Sequence, residues 1–135
     1  MTTGPSQEYV KGQLESADEA LSDAKYLLAG DRLKAAANRA YYAMFHAVQA
    51  ALEFAQLDRP RSHTGAITLF SRRYVRSGRL DRRLARSLQD AYDLRRRSDY
   101  DVYAAVGRPE VSDVVQQAEA FLTEVRRLLE QANGE

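Results

Sequence analysis

Asp31-Arg-Leu33-Lys-Ala-Ala-Ala37-Asn38-Arg39-Ala40-Tyr41-Tyr42-Ala-Met44-Phe45-His46-Ala-Val48-Gln49-Ala-Ala51-Leu-Glu53-Phe-Ala55-Gln56 contains neither Gly nor Pro. Leu33, Ala37, Ala40, Tyr41, Met44, Val48, Ala51 and Ala55 recur at three- and four-residue steps, so the stretch reads as one amphipathic helix with a near-heptad seam. The alanines in that seam let neighbouring helices approach closely. A second, polar stripe of Arg39, Tyr42, His46, Gln49 and Glu53 follows the same steps along one side. It borders the apolar seam and is expected to be half buried or covered by a partner. There His46 can bond Tyr42 one turn back, or face a groove as a proton carrier with its ordinary pKa near working pH.

The same periodicity extends in both directions. Ser6 caps a first helix to about Ala29, with Val10, Leu14, Ala17, Leu21, Ala24 and Leu28 facing inward. Gly30-Asp31 turns the chain, with Asp31 as N-cap of the next helix. Leu57-Asp-Arg-Pro60-Arg-Ser62 breaks the pattern. A short helix over Thr64 to Arg76 carries Ile67, Phe70 and Tyr74, and Ser77-Gly78 ends it. Ser62-His63-Thr64 can cap that helix and leave outward N–H groups that suit an anion. Asp81 caps a fourth helix with Leu84, Leu88 and Ala91 on its core face. Gly107-Arg-Pro109 reads as a break, and Ser112 opens a last helix with Val115, Ala118, Leu122, Val125 and Leu129. The expected fold is all-α, an antiparallel bundle of four long helices plus one short helix. It forms a single domain over residues 1–135, with its core at about 6–132.

Composition narrows the function. With 135 residues and no Cys, the chain can bury a core without staples, and disulfides and thiolate metal sites are excluded. That composition fits a reducing cytoplasm. The two His are far apart, with no His-x3-His or carboxylate box, so no metal is expected. No apolar run is long enough for a membrane span, and the N-terminus lacks the marks of a secretory signal. The net charge of +1 conceals a segregation. From Arg59 to Arg97 there are twelve Arg against Asp81, Asp90 and Asp93, a local excess of nine positive charges. A basic block of this kind faces a polyanion, and arginine forks match phosphate oxygens better than lysine.

The block ends in Tyr92-Asp-Leu-Arg95-Arg96-Arg97-Ser98-Asp99-Tyr100-Asp101-Val102-Tyr103. Tyr92, Arg96 and Asp99 share one side of a continuing helix, Arg95 lies nearer the core, and Arg97 points elsewhere. Arg96 and Asp101 would stand about 140° apart on a straight helix. They address one ligand only if the helix ends or bends between them, and Ser98-Asp99 are candidates for that break. Ion pairing within the stretch, such as Asp93 with Arg97, is the competing structural use and is worth only tenths of a kcal/mol.

Asn38-Arg-Ala-Tyr-Tyr-Ala-Met-Phe-His46-Ala, Ser62-His63-Thr-Gly65 with Phe70, and Asp93-Leu-Arg-Arg-Arg-Ser-Asp99-Tyr100-Asp101 together resemble the HEPN superfamily. The likeness is strongest to its small UPF0332-type branch, from about residue 8 to 130. The resemblance implies a helical bundle that forms a homodimer across a shared cleft. It implies a metal-independent endoribonuclease without cofactor, the toxin of a pair whose antitoxin is a minimal nucleotidyltransferase. That nuclease motif is Arg, four to six residues, then His, often followed by x-Tyr. On this chain Arg96 matches the Arg, Tyr103 the trailing Tyr, and Asp101 stands where the His belongs. Arg96 would then neutralise phosphoryl charge with Arg95 or Arg97, while Asp101 acts as base and His46 or Tyr103 as alternative proton carriers. Arg39 and Tyr100 join Arg95 and Arg97 as candidate RNA contacts. By resemblance Tyr103 is also the acceptor if the nucleotidyltransferase silences the protein by adenylylation. The absent imidazole supports a second reading, a non-catalytic HEPN module that binds RNA or a nucleotide, or docks a nucleotidyltransferase.

Overall fold

The structure, a computed structural model, describes residues 4–103 and 105–133. Part of the N-terminal segment read against a secretory signal, residues 1–3, lies outside them. The chain folds as α1 (Gln7–Ala29), α2 (Leu33–Phe54), α3 (His63–Phe70), α4 (Arg82–Tyr100) and α5 (Arg108–Asn133). Among the described residues there is no strand. The all-α bundle of four long helices and a short one is as expected.

Helix α2 is the hub, packed by α1, α3, α4 and α5. Its small side chains permit this: Ala36, Ala40, Ala43, Ala47, Ala50 and Ala51 are fully buried. Larger groups fill the space between helices, with Tyr41, Met44, Phe70 and Phe121 all at 0% exposure. Burying one such side chain contributes about 1.5–3 kcal/mol.

Three helices begin on the residues that sequence pattern selected. Ser6 accepts the Tyr9 N–H at 3.2 Å, Ser62 that of Gly65 at 3.0 Å, and Asp81 that of Arg83 at 2.8 Å. Asp31 does not cap α2; Arg32 holds that place without a side-chain bond. Asp31 instead finishes α1 in the left-handed region, at φ 62°. Its N–H reaches Leu28 O (3.0 Å) while that of Arg32 reaches Leu27 O (2.8 Å), the paired closure that normally takes Gly. Asp is among the few other residues that tolerate this conformation.

Two further boundaries differ from expectation. Helix α3 gives way at Ser71–Val75 to one π-helical turn, closed by the Arg76 N–H on Ser71 O at 2.8 Å. That wider turn carries Tyr74 into the core, where its hydroxyl donates to Ala51 O at 2.5 Å. Helix α5 starts at Arg108, a full turn before Ser112. Gly107-Arg-Pro109 begins this helix, because Pro in a first turn gives up no intrahelical bond.

Candidate functional site

Helix α4 turns Leu84, Leu88, Ala91 and Leu94 to the core, which lays Arg95 along the seam with α2. Its side chain is only 12% exposed. Arg95 Nε donates to Asp99 Oδ2 at 2.9 Å, and Nη2 donates to the Tyr42 hydroxyl at 3.2 Å and the Tyr100 hydroxyl at 3.5 Å. The same Asp99 oxygen accepts from Asn38 Nδ2 at 3.0 Å. Asn38 Oδ1 in turn accepts twice from Arg39, at 3.0 and 2.8 Å, and Arg39 lies 5.1 Å over the Tyr42 ring. Arg39 and Arg95 are thus members of one α2–α4 network. Asp99 is consumed by this tertiary contact and does not compete for the backbone, so α4 runs past Ser98-Asp99. The expected break falls later, at Asp101, whose φ of −115° and ψ of 100° leave the helix.

Beside this network lies an open cleft of about 510 Å³, walled by His63, Tyr92, Arg95, Arg96 and Tyr100. The His63 ring stacks on Phe45, with centroids 4.3 Å apart. Its Nδ1 is 2.6 Å from the hydroxyl of the fully buried Tyr41. Burial, and then the Arg95 charge, hold the His63 pKa below the ordinary imidazole value. The Tyr41 phenol is pushed well above its ordinary pKa, mainly by burial.

Arg96 is exposed and meets the Tyr92 ring at 5.8 Å. Among the described residues it has no acidic partner. Arg97 is instead tied to Glu110 on α5, and Asp93 accepts from Gln89 at 3.0 Å. The Asp93–Arg97 pair does not form. Arg96, Arg97, Tyr100 and Asp101 border a second, shallower depression of about 390 Å³. The Asp101 carboxylate accepts the Tyr103 N–H at 3.0 Å, and Lys34 Nζ donates to its carbonyl at 3.3 Å. Tyr103 itself is 94% exposed.

His46 stands apart from these groups. Its Nδ1 donates to Gln13 Oε1 at 2.7 Å and not to Tyr42. It opens on a depression shared with Tyr9, Gln49 and Arg59. Burial, then Arg39, lowers its pKa. The polar stripe of α2 is half buried, as its position beside the seam implied. Among the described residues no group of three or more His, Asp or Glu is arranged to hold a metal ion, and no helix is long and apolar enough to cross a membrane.

Sequence reasoning missed two features of this site. The Asn38–Asp99 contact joins residues with no local spacing to connect them; their presence in separate blocks of the family pattern was the available signal. His63 was read as part of a cap, yet its first-turn position also aims the ring across α2 toward Arg95.

A UPF0332 protein of Thermotoga maritima is 34% identical over 114 residues, covering 84% of this chain and 86% of its own. Two Methanocaldococcus jannaschii proteins are named as candidate toxins. One is 30% identical, covering 93% of this chain and 92% of its own; the other is 26% identical, covering 86% and 78%. A family model described as the HEPN domain matches residues 10–128. Matched across nearly every helix of the bundle, the chain belongs to the HEPN family.

Proposed function

We propose that this protein is a toxin-like HEPN endoribonuclease that needs no metal. The observation that carries the reading is Arg96, an exposed guanidinium without an acidic partner among the described residues, on a cleft whose other arginine, Arg95, is already committed. A guanidinium left uncompensated beside Tyr92 and Tyr100 suits a phosphate flanked by bases, which stack on aromatic rings. Arg61, Arg72, Arg76, Arg79, Arg82 and Arg86 are also exposed and form no salt bridge among the described residues, adding positive charge that draws a polyanion to the protein.

The chemistry is transesterification. The ribose 2′-oxygen bonds to the adjacent phosphorus, the bond to the 5′-oxygen breaks, and a 2′,3′-cyclic phosphate results. Arg96 neutralises charge on the non-bridging oxygens, and Asp101 takes the 2′-hydroxyl proton. The protein acts as a cytoplasmic homodimer that doubles this surface. A minimal nucleotidyltransferase is its antitoxin, with the exposed Tyr103 hydroxyl as adenylylation acceptor.

Asp101 at the place of the motif His favours one alternative, a module that binds RNA or a nucleotide, or docks a nucleotidyltransferase, without cutting. Incubation of an RNA oligonucleotide with purified protein in EDTA separates the two. Cyclic-ended products that disappear in Arg96→Ala support the nuclease. Salt-sensitive binding with intact RNA supports the module.

A further inference from the structure

Arg96 and Tyr100 border both depressions at the end of α4, with His63 in one and Asp101 in the other. A phosphodiester seated on Arg96 therefore has an imidazole on one flank and a carboxylate on the other. Resting on the nuclease reading above, we propose that His63 protonates the leaving 5′-oxygen, supplying from α3 the imidazole that α4 lacks at Asp101.

The surroundings of His63 suit that task. Phe45 holds one ring face, at 21° from parallel, and the Tyr41 hydroxyl fixes Nδ1 at 2.6 Å. Nε2 makes no hydrogen bond among the described residues. Tyr41 is fully buried and its hydroxyl has no other hydrogen-bond partner among the described residues, so it donates to Nδ1 of the neutral ring and the ring proton resides on Nε2. When the ring gains a proton, Nδ1–H donates to the Tyr41 oxygen, the phenol proton loses its acceptor, which adds to the cost of the imidazolium, and Nε2–H stays open to the cleft. Tyr41 is thereby a positioning residue. His46, anchored on Gln13 and opening on a different depression, cannot substitute.

The step balances. The 2′-oxygen bonds to phosphorus and its proton passes to the Asp101 carboxylate. The electrons of the breaking P–O bond leave with the 5′-oxygen, which takes the Nε2 proton of the His63 imidazolium. Solvent then reprotonates His63 and deprotonates Asp101. The charged groups facing the ring are Arg95 and Arg96 of α4; Tyr41 and Tyr42 of α2 and Tyr92 of α4 bring no negative charge. A bound phosphodiester opposes those arginines and raises the fraction of imidazolium. The alkaline limb of kcat/KM should lie below the ordinary imidazole pKa, and that of kcat above the limb of kcat/KM.

Two substrates test the assignment, an RNA oligonucleotide and uridine 3′-(4-nitrophenyl phosphate), whose nitrophenolate leaves without a proton. His63→Ala should lose about 100-fold or more on RNA and stay within a few-fold of wild type on the nitrophenyl ester. His63→Gln, which can still bond Tyr41, should show the same selectivity and serves if the Ala variant fails to fold. Equal loss on both substrates by a folded variant, or no loss on RNA, overturns the role of His63 and leaves the nuclease intact. Wild-type protein that cleaves neither substrate overturns both.

Discussion

Neighbouring arginines in one helical turn have opposite fates, and the difference is set by where each faces. Arg95 meets Asp99, Tyr42 and Tyr100 and is nearly buried, whereas exposed Arg96 meets only the Tyr92 ring, 5.8 Å from its centre. Arg95→Ala removes a charge-assisted bond and leaves the Asp99 carboxylate with Asn38 alone, so it should cost about 1.5–3 kcal/mol of stability. Arg96→Ala should stay within about 0.5 kcal/mol of wild type yet lower RNA cleavage about 100-fold or more. Denaturant titration and the cleavage assay, run on both variants, check the contrast. An Arg96 variant as unstable as the Arg95 one would contradict it. The sequence disclosed that three arginines end α4, and helical spacing placed Arg95 nearest the core. It could not disclose that Asn38 would claim Asp99, since that bond spans two helices brought together only by packing.

At the level of elements, caps and seams were legible and terminations were less so. Ser6, Ser62 and Asp81 act through bonds two or three residues away, which local spacing can foresee. The end of α1 depends on Asp31 adopting a left-handed conformation, and the π turn after α3 depends on Tyr74 finding Ala51 O. The first is local but uses a residue other than the usual Gly, and the second is decided by a partner distant in sequence. Helix α3 holds a tight feature of its own. A Cβ at Gly65 would stand 2.7 Å from Ser62 Oγ and 2.9 Å from Pro60 Cβ. Gly65→Ala must displace the cap that seats His63, so it should destabilise by about 1 kcal/mol, the worth of an N-cap, and also lower cleavage. Ser62→Ala loses the same cap without the clash and should cost no more. A Gly65→Ala protein as stable and active as wild type would show that the loop gives way freely.

Across the whole molecule, His46 and His63 are both held below the ordinary imidazole pKa of about 6.5 by burial, with an arginine adding to each. The unfolded chain therefore binds more protons than the folded one between the folded-state values and that ordinary value. Stability is full above it, falls as pH drops through it, and levels once the folded imidazoles also charge. The thermal midpoint should fall between pH 7.5 and pH 5.5, and the double substitution His46→Gln, His63→Gln should flatten the change; a midpoint that does not move over this range would refute the linkage. The segment from Asp101 to Gly107 is a different matter. Arg108 clamps the far side of this connection to the α1–α2 turn, donating to Leu28 O and Asp31 Oδ1, both at 2.8 Å. Lys34 holds the near side through Asp101 O, and α5 is seated by Val111, Phe121 and Val125. A peptide bond severed beside the projecting Tyr103 would thus leave two fragments that remain one particle, held on one side at Asp101 and on the other at Arg108.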